Sequence, residues 1–209
     1  MNATIKRQRN PDEPKIIRDG EPVILSEGRI GAIVQFPVLV DEGHGYVEKK
    51  FEKFVRAPGT RIMAVRDGKI FFQKEARWEK NNVLDWRLPG GKVVDSFVEY
   101  KQYLGKEMLE EIILAAAAKE LGEEAGLQSE HFSVFCKKED GATVEWDLYY
   151  VVAEDVSTLE AALEHNEGED IHDTAWLSFA EIIEKCKTGE ISEGRTVAAL
   201  LEFIKPSFS

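Results

Sequence analysis

Three carboxylates in one short stretch of the chain have the spacing of a metal site. Glu120, Glu123 and Glu124 are related by i, i+3 and i+4, so an α-helix would bring all three to one face. Neighbouring like charges repel each other, and a divalent cation among them removes that repulsion. Carboxylate oxygens suit Mg²⁺ or Mn²⁺ better than zinc. The pattern therefore predicts a magnesium or manganese site, and its alternative is an amphipathic surface helix with an acidic end.

The element that must position these carboxylates is an apolar, alanine-rich segment. It predicts a helix over about residues 106–124, followed by Gly126. Upstream, an Asp-Gly pair between two apolar runs predicts a β-hairpin over residues 61–73. A short strand over residues 83–88 then ends at Pro89-Gly90-Gly91. A pair of glycines after a strand suits a turn whose backbone closely approaches a metal or a phosphate, or it is an ordinary tight turn.

The flanking segments complete a mixed α/β pattern. Residues 1–15 are predicted to be disordered or extended, and the strand-like runs within residues 22–55 predict a small antiparallel β unit. After the helix, strands are expected over the ranges 132–136, 143–152 and 175–177. Ser178 and Glu181 form the pattern of a capping box, so a helix is expected to begin there and to end at Gly189. A last helix is predicted over residues 192–204.

Composition limits the classes of function. The chain has 209 residues and a net charge of −12, which argues against general nucleic-acid binding because phosphate contacts need a basic face. No segment approaches the roughly 20 apolar residues that cross a bilayer, and residues 1–14 lack the apolar stretch of a secretory signal. Cys136 and Cys186 are too few for a disulfide framework. We therefore expect a cytoplasmic protein with neither nucleic acid nor membrane as a partner.

The glutamate-rich stretch resembles the signature of the Nudix hydrolases. Eight signature positions are in register: Gly105, Glu111, Glu120, Leu121, Glu123, Glu124, Gly126 and Leu127. Lys119 stands where the family has arginine, and lysine keeps the charge but lacks the fork of donors that orients carboxylates. The resemblance implies a Nudix-type α/β/α sandwich with a mixed sheet, plus a small N-terminal antiparallel β unit.

The resemblance also implies roles for the signature residues. Glu120 and Glu124 are expected to be metal ligands and Glu123 to support them, and the resemblance implies a catalytic role for Glu120 and Glu123. Structural roles in the motif fall to Glu111, Lys119 and Gly126. Family members have a Pro-Gly-Gly or Ala-Gly run directly before the helix. Either Gly105 is the first glycine of the signature, or Gly91 is and an insertion covers residues 93–106. We favour the insertion, which makes the carbonyl of Gly90 a further candidate ligand.

A second match, to the ADP-ribose pyrophosphatases of the same family, concerns the acidic loop around Glu167 and Glu169. By this resemblance Glu167 is the candidate general base that activates water, and Glu169 is a further metal ligand. Base chemistry from a mobile loop is reasonable because the loop can close after the substrate binds. Arg77 resembles a substrate-contacting arginine of that branch, and Arg56 lies in a similar place to another; the alternative for Arg77 is an ordinary surface arginine.

These resemblances imply Mg²⁺-dependent hydrolysis of a nucleoside diphosphate linked to another moiety, with ADP-ribose giving AMP and ribose 5-phosphate. Residues 1–56 are expected to form the N-terminal β unit, which pairs with a second subunit in a homodimer, and residues 57–209 the hydrolase domain. Two alternatives stay open. One is a Nudix pyrophosphatase for another sugar nucleotide or dinucleotide, and the other is a non-catalytic sensor of ADP-ribose-like ligands.

Overall fold

The computed structural model describes residues 15–77, 81, 83–159 and 170–205, with Arg77 described only in its backbone. The loose end predicted for the first residues lies outside this part of the chain, except for its last residue. Thirteen strands occur in these ranges. They are β1 Ile16–Arg18, β2 Val23–Glu27, β3 Ala32–Asp41, β4 Tyr46–Val55, β5 Gly59–Arg66, β6 Lys69–Arg77, β7 Val83–Arg87, β8 Leu127–Gln128, β9 His131–Lys138, β10 Val144–Glu145, β11 Leu148–Glu154, β12 Ser157–Thr158 and β13 Asp170–Ser178.

The N-terminal strands form an antiparallel sheet. β3 pairs with β1, β2 and β4, so the predicted unit is present and gains β1. Buried and partly exposed side chains alternate along most of β3, the pattern of a strand with one face on a core. β10 pairs in parallel with the end of β4. This pairing joins the N-terminal sheet to the strands that follow the long helix.

A second, mixed sheet forms the centre of the molecule. Its order is β13-β6-β5-β11-β9, and β7 pairs with β6. β5 and β11 run parallel, whereas the other pairs are antiparallel. The β5–β6 connection is the predicted hairpin, with Asp67 and Gly68 at φ 51° and 69°, the left-handed region that a two-residue type I′ turn requires. A separate short pair joins β8 to β12.

Helices cover both faces of the central sheet. They are α1 Phe97–Tyr100, a 3₁₀ turn at Lys101–Tyr103, α2 Glu110–Ala125, α3 Phe179–Thr188 and α4 Gly194–Ile204. Along β5, Ile62 and Ala64 belong to the core that includes α2, whereas Met63 belongs to the core that includes α3 and α4. This alternation is the period of a strand buried on both faces. The predicted mixed α/β/α sandwich is therefore confirmed. Among the described helices, none has the length and apolar character needed to cross a bilayer.

Three sequence predictions of elements were wrong in detail. The strand predicted over residues 175–177 is the longer β13, Asp170–Ser178, because it pairs with β6 along its whole length. The long helix begins at Glu110 rather than near residue 106, since Gly105 adopts φ 73° and Leu109 is the extended N-cap. The strand predicted over residues 143–152 is two strands, separated at Trp146 and Asp147 because β10 joins the N-terminal sheet and β11 the central one. By contrast, both predicted ends of α3 are present: the capping box at Ser178 begins the helix, and the left-handed Gly189 ends it.

Candidate active site

The turn after β7 places backbone atoms against the acidic end of α2. The N–H of Gly90 donates to Oε2 of Glu124 at 2.8 Å, and the carbonyl of Glu124 accepts from Nε2 of Gln73 at 3.0 Å. Glu124 is 6% exposed, and a buried carboxylate requires such donors. Gly90 has φ 150°, and an added Cβ would lie 2.2 Å from the carbonyl oxygen of Thr60. Only glycine therefore fits at this position.

Gly91, the next residue in the turn, lies directly against Glu120. A Cβ added to Gly91 would be 2.1 Å from Oε1 of Glu120, which is far inside van der Waals contact. Gly105 has a different neighbourhood: its carbonyl accepts from Arg18, and a Cβ there would meet Arg18 and Pro22. The geometry thus places Gly91, and not Gly105, beside the signature glutamates. It agrees with an insertion between Gly91 and α2.

The remaining signature positions lie around α2. Glu123 is half-buried, and Glu111 is exposed in the first turn of the helix, where a negative charge favours the helix dipole. Nζ of Lys119 lies 3.6 Å from Asp95 in an exposed ion pair. Lys119 therefore contacts the segment 93–106, which is the proposed insertion. Gly126 ends α2 in the left-handed conformation, with its N–H bonded to the carbonyl of Gly122 at 3.1 Å.

Sequence reasoning missed a network of buried charges beside the Gly90 turn. Arg61, Glu75, Asp85 and Arg87 are at most 9% exposed. Arg87 pairs with Glu75 at 3.2 Å and with Asp85 at 3.5 Å. Arg61 donates to the carbonyls of Thr60 at 2.8 Å and of Gly90 at 3.3 Å. The available signal was a charged residue inside an apolar strand pattern, which predicts a buried, paired charge.

Glu193, at the N-cap of α4, joins both arginines of this network. Its Oε2 lies 3.4 Å from Nε of Arg61 and 3.7 Å from Nη2 of Arg87. Burial acts to raise the pKa of the Glu193 carboxyl, but Arg61, Arg87, the Thr196 hydroxyl and Arg195 together lower that pKa below its ordinary value. The carboxylate is thereby kept charged. Next to it, burial raises the pKa of Tyr150 to about 12, and the phenol oxygen lies 3.0 Å from the Thr196 hydroxyl.

The predicted substrate-binding arginines are described to different extents. The guanidinium of Arg56 stacks on the ring of Trp146, with Cζ 3.8 Å from the ring centroid. The backbone of Arg77 pairs with Val83 at the end of β6, but its side chain lies outside the described residues. Glu167 and Glu169 also lie outside them. β13 begins directly after that acidic segment, and its second residue, Ile171, lines the same recess as Gly90 and Glu124.

The donor chemistry of the site fits a hard divalent cation. Glu120, Glu123 and Glu124 offer carboxylate oxygens, and the neighbouring Gly90 offers a carbonyl oxygen, which are the ligand types of Mg²⁺ and Mn²⁺. Within the described ranges, no three His, Cys, Asp or Glu side chains already stand together as a metal site. One oxygen of Glu124 is instead bonded to the Gly90 N–H. Metal binding would therefore reorient side chains that are already adjacent.

Comparisons with known proteins identify the family and the fold. The profile of the NUDIX domain family matches residues 55–200. No curated protein sequence matches the chain. Among solved structures, the chain is similar to a crystal structure of an ADP compounds hydrolase, with a TM-score of 0.64 and 18% sequence identity over 96% of this chain and 98% of the other. At that identity the likeness concerns the fold. The match includes the N-terminal sheet because it covers nearly the full length of both chains.

Proposed function

Because the chain belongs to the Nudix family of pyrophosphohydrolases, we propose that it hydrolyses ADP-ribose to AMP and ribose 5-phosphate in a Mg²⁺-dependent reaction. The observation that carries the proposal is the contact of the Gly90-Gly91 turn with the α2 carboxylates, through the Gly90 N–H bond to Glu124 and the close approach of Gly91 to Glu120. An ADP-containing substrate is favoured by the likeness to an ADP compounds hydrolase.

Glu120, Glu124, Glu169 and the carbonyl of Gly90 are the proposed metal ligands, and Mn²⁺ is the expected substitute for Mg²⁺. When bound, the cation would neutralise the diphosphate and lower the pKa of water. Glu123, half-buried beside the other two glutamates on α2, keeps the cluster anionic and is proposed to support Glu120 and Glu124 in binding the cation. These side chains bind and orient; none is proposed to form a covalent bond to phosphorus.

Glu167 is the proposed general base, which takes the proton from the attacking water. The support is its place in the chain, four residues before Ile171, which lines the recess with Gly90 and Glu124. Arg56 and Arg77 are the proposed substrate contacts, since a guanidinium fork matches two phosphate oxygens at once. For Arg56 the stacking on Trp146 gives a fixed starting position.

The deciding experiment is a product assay with purified protein and Mg²⁺. We expect AMP and ribose 5-phosphate from ADP-ribose, loss of turnover with a chelator, and recovery with Mg²⁺ or Mn²⁺. A panel of NADH, sugar nucleotides and dinucleoside polyphosphates separates ADP-ribose from the alternative substrates. If no member of the panel releases a nucleoside monophosphate, the proposed function is wrong.

A non-catalytic ADP-ribose sensor is the second candidate. One observation favours it: the mapped ion pair of Lys119 is with Asp95, so this lysine does not replace the fork that an arginine supplies in the family signature. Replacing Glu124 with glutamine separates the two hypotheses. An enzyme would lose turnover by orders of magnitude, whereas a sensor would have no turnover to lose and would bind ADP-ribose with both sequences.

We propose a homodimer whose interface is the N-terminal sheet, because apolar side chains of this sheet are exposed. Large apolar residues that are exposed concentrate there: Ile16, Ile17, Val23, Leu25, Ile30, Ile33, Tyr46, Val47 and Phe51. Val47 and Phe51 oppose Val40 and Phe36 across the β3–β4 pair and so share one face of the sheet, and neighbouring exposed apolar side chains mark interaction sites. A reducing cytoplasm is the proposed location, since Cys136 and Cys186 are both free thiols. Sedimentation at several protein concentrations tests the dimer, and subcellular fractionation tests the location.

A further inference from the structure

We propose that Glu193 is a positioning residue that holds two sides of the active site, the Gly90 turn and the Arg56 side chain, by contacting one arginine on each side. The inference rests on the proposed function. Glu193 lies near the C-terminal end of the family match, far in sequence from the α2 glutamates. Within the described part of the chain its side-chain partners are Arg61, Arg87, Arg195 and Thr196, so any effect on the Gly90 turn must pass through other side chains.

The carboxylate of Glu193 has three guanidinium neighbours. Oε2 lies 3.4 Å from Nε of Arg61 and 3.7 Å from Nη2 of Arg87, and Oε1 lies 3.4 Å from Nη2 of Arg195. The Thr196 hydroxyl donates to Oε2 at 2.9 Å. Its side chain is 18% exposed, so these contacts are poorly screened by water. One carboxylate therefore contacts three guanidinium groups and holds all three in place.

On the first side, Arg61 connects Glu193 to the Gly90 turn. Nη1 of Arg61 donates to the carbonyls of Thr60 and Gly90 at 2.8 and 3.3 Å, while Nε faces Glu193. A carbonyl oxygen has two lone pairs, so the bond from Arg61 fixes the direction of the Gly90 carbonyl and leaves one lone pair for a cation. Glu193 fixes the guanidinium plane that makes this bond.

On the second side, Arg195 connects Glu193 to Arg56 through Trp146. Nη1 of Arg195 donates to the Trp146 carbonyl at 2.7 Å, and its Cζ lies 4.3 Å from the indole centroid. Cζ of Arg56 lies 3.8 Å from the same centroid, so both guanidinium groups contact one indole ring. Cation–π contact with one ring orients both groups. The position of Arg56 therefore depends on how Glu193 holds Arg195.

The charge of Glu193 matters as much as its geometry. Arg61 and Arg87 are buried beside the carbonyl that we propose as a metal ligand, and a positive charge there would repel the cation. Glu193 offsets that charge. A glutamine keeps the shape and one acceptor but removes the negative charge, which leaves the arginines less compensated. The change should therefore weaken metal binding even where the fold is intact.

The experiment compares Glu193→Gln with the matched control Glu190→Gln. Glu190 lies three residues before Glu193, and its replacement removes an exposed ion pair with Lys185. Binding of Mn²⁺ alone is followed by electron paramagnetic resonance, which needs no turnover, and KM and kcat are measured with ADP-ribose and Mg²⁺. For Glu193→Gln we expect Mn²⁺ affinity to fall about 10- to 100-fold, the typical effect of removing a group that orients a ligand, and KM to rise. Glu190→Gln should match the wild type.

Two further variants separate the two sides and replace Glu193→Gln if it fails to fold. Arg61→Lys keeps the charge but cannot face Glu193 and both carbonyls at once, so it should weaken Mn²⁺ binding and leave KM nearly unchanged. Arg195→Lys should raise KM with Mn²⁺ affinity unchanged. Equal Mn²⁺ affinity in Glu193→Gln and Glu190→Gln would overturn the proposal, as would identical effects of the two lysine variants or no Mn²⁺ uptake by the wild type. If the wild type binds Mn²⁺ but hydrolyses nothing, the proposed function fails while the Mn²⁺ comparison still decides the role of Glu193.

Discussion

Replacing Gly91 with alanine should abolish most activity and leave the fold intact. The Cβ of the alanine would lie 2.1 Å from Oε1 and 2.6 Å from Oε2 of Glu120. An ordinary contact is about 3.5 Å, so the carboxylate must retreat by roughly 1 Å. Glu120 is the end of a flexible side chain, and it can move without shifting the backbone. The cost therefore falls on the position of a proposed metal ligand and not on folding.

The magnitude follows from that displacement. A misplacement of about 1 Å at a reacting centre can lower the rate about 100-fold, so kcat for AMP release should fall by that order. The backbone of Gly91 is outside the left-handed region that favours glycine. At such a position alanine reduces the entropy of the unfolded chain and stabilises by about 0.4–1 kcal/mol. The midpoint of urea unfolding should therefore stay the same or rise.

The two other glycines serve as comparisons in the same assays. Gly90→Ala meets the backbone oxygen of Thr60 at 2.2 Å and a φ of 150°, so it should lower the free energy of unfolding by at least about 2 kcal/mol. Gly105→Ala meets only the end of Arg18 and the Pro22 ring, and it should cost about 1 kcal/mol for its positive φ with kcat near the wild-type value. Full kcat in Gly91→Ala, or a larger loss in Gly105→Ala, would refute the assignment of Gly91 as the signature glycine.

Four more outcomes are expected. Glu124→Gln should lower kcat in the product assay by orders of magnitude. Its stability in urea should be nearly unchanged, because the amide oxygen can still accept from the Gly90 N–H. Lys119→Arg should keep or raise kcat, since arginine adds donors to an exposed position, and a fall would contradict this. Burial raises the pKa of Cys136 from 9.0 to about 11, so the thiol stabilises the fold below pH 9 and this stability is lost as the pH rises through 11. In Cys136→Ala the free energy of unfolding in urea should therefore change less with pH over that range. Phe51→Glu should shift sedimentation from dimer to monomer, and a persisting dimer would place the interface elsewhere.

Local sequence signals predicted much of the fold. The hairpin at Asp67-Gly68 and both ends of α3, at Ser178 and Gly189, follow from rules about a few neighbouring residues. The sandwich follows from apolar patterning and from the resemblance. The start of α2 was placed too early because residues 106–109 are all good helix formers, whereas the chain turns at the left-handed Gly105 and is still extended at Leu109.

The buried charge network could not be predicted in the same way. Arg61 and Glu193 are 132 positions apart, and no local pattern indicates that a residue at the start of α4 meets a strand near the start of the domain. The sequence indicates only that a charge within an apolar strand needs a partner. The identity of that partner depends on the packing of α4 against the sheet, which is a property of the whole fold.

The same limit explains why spacing alone leaves two candidates for the signature glycine. A pattern of fixed spacing selects Gly105, yet the close approach to Glu120 is made by Gly91. The segment between them is anchored, since Phe97 and Tyr100 of α1 are buried in the core that contains α2. That anchoring lets the chain leave the site after Gly91 and return at Glu110 without moving the turn away from the carboxylates. The chemistry requires a backbone close to Glu120 and Glu124 in space, and the number of residues that connect the two is free to vary wherever the connection packs its own apolar side chains.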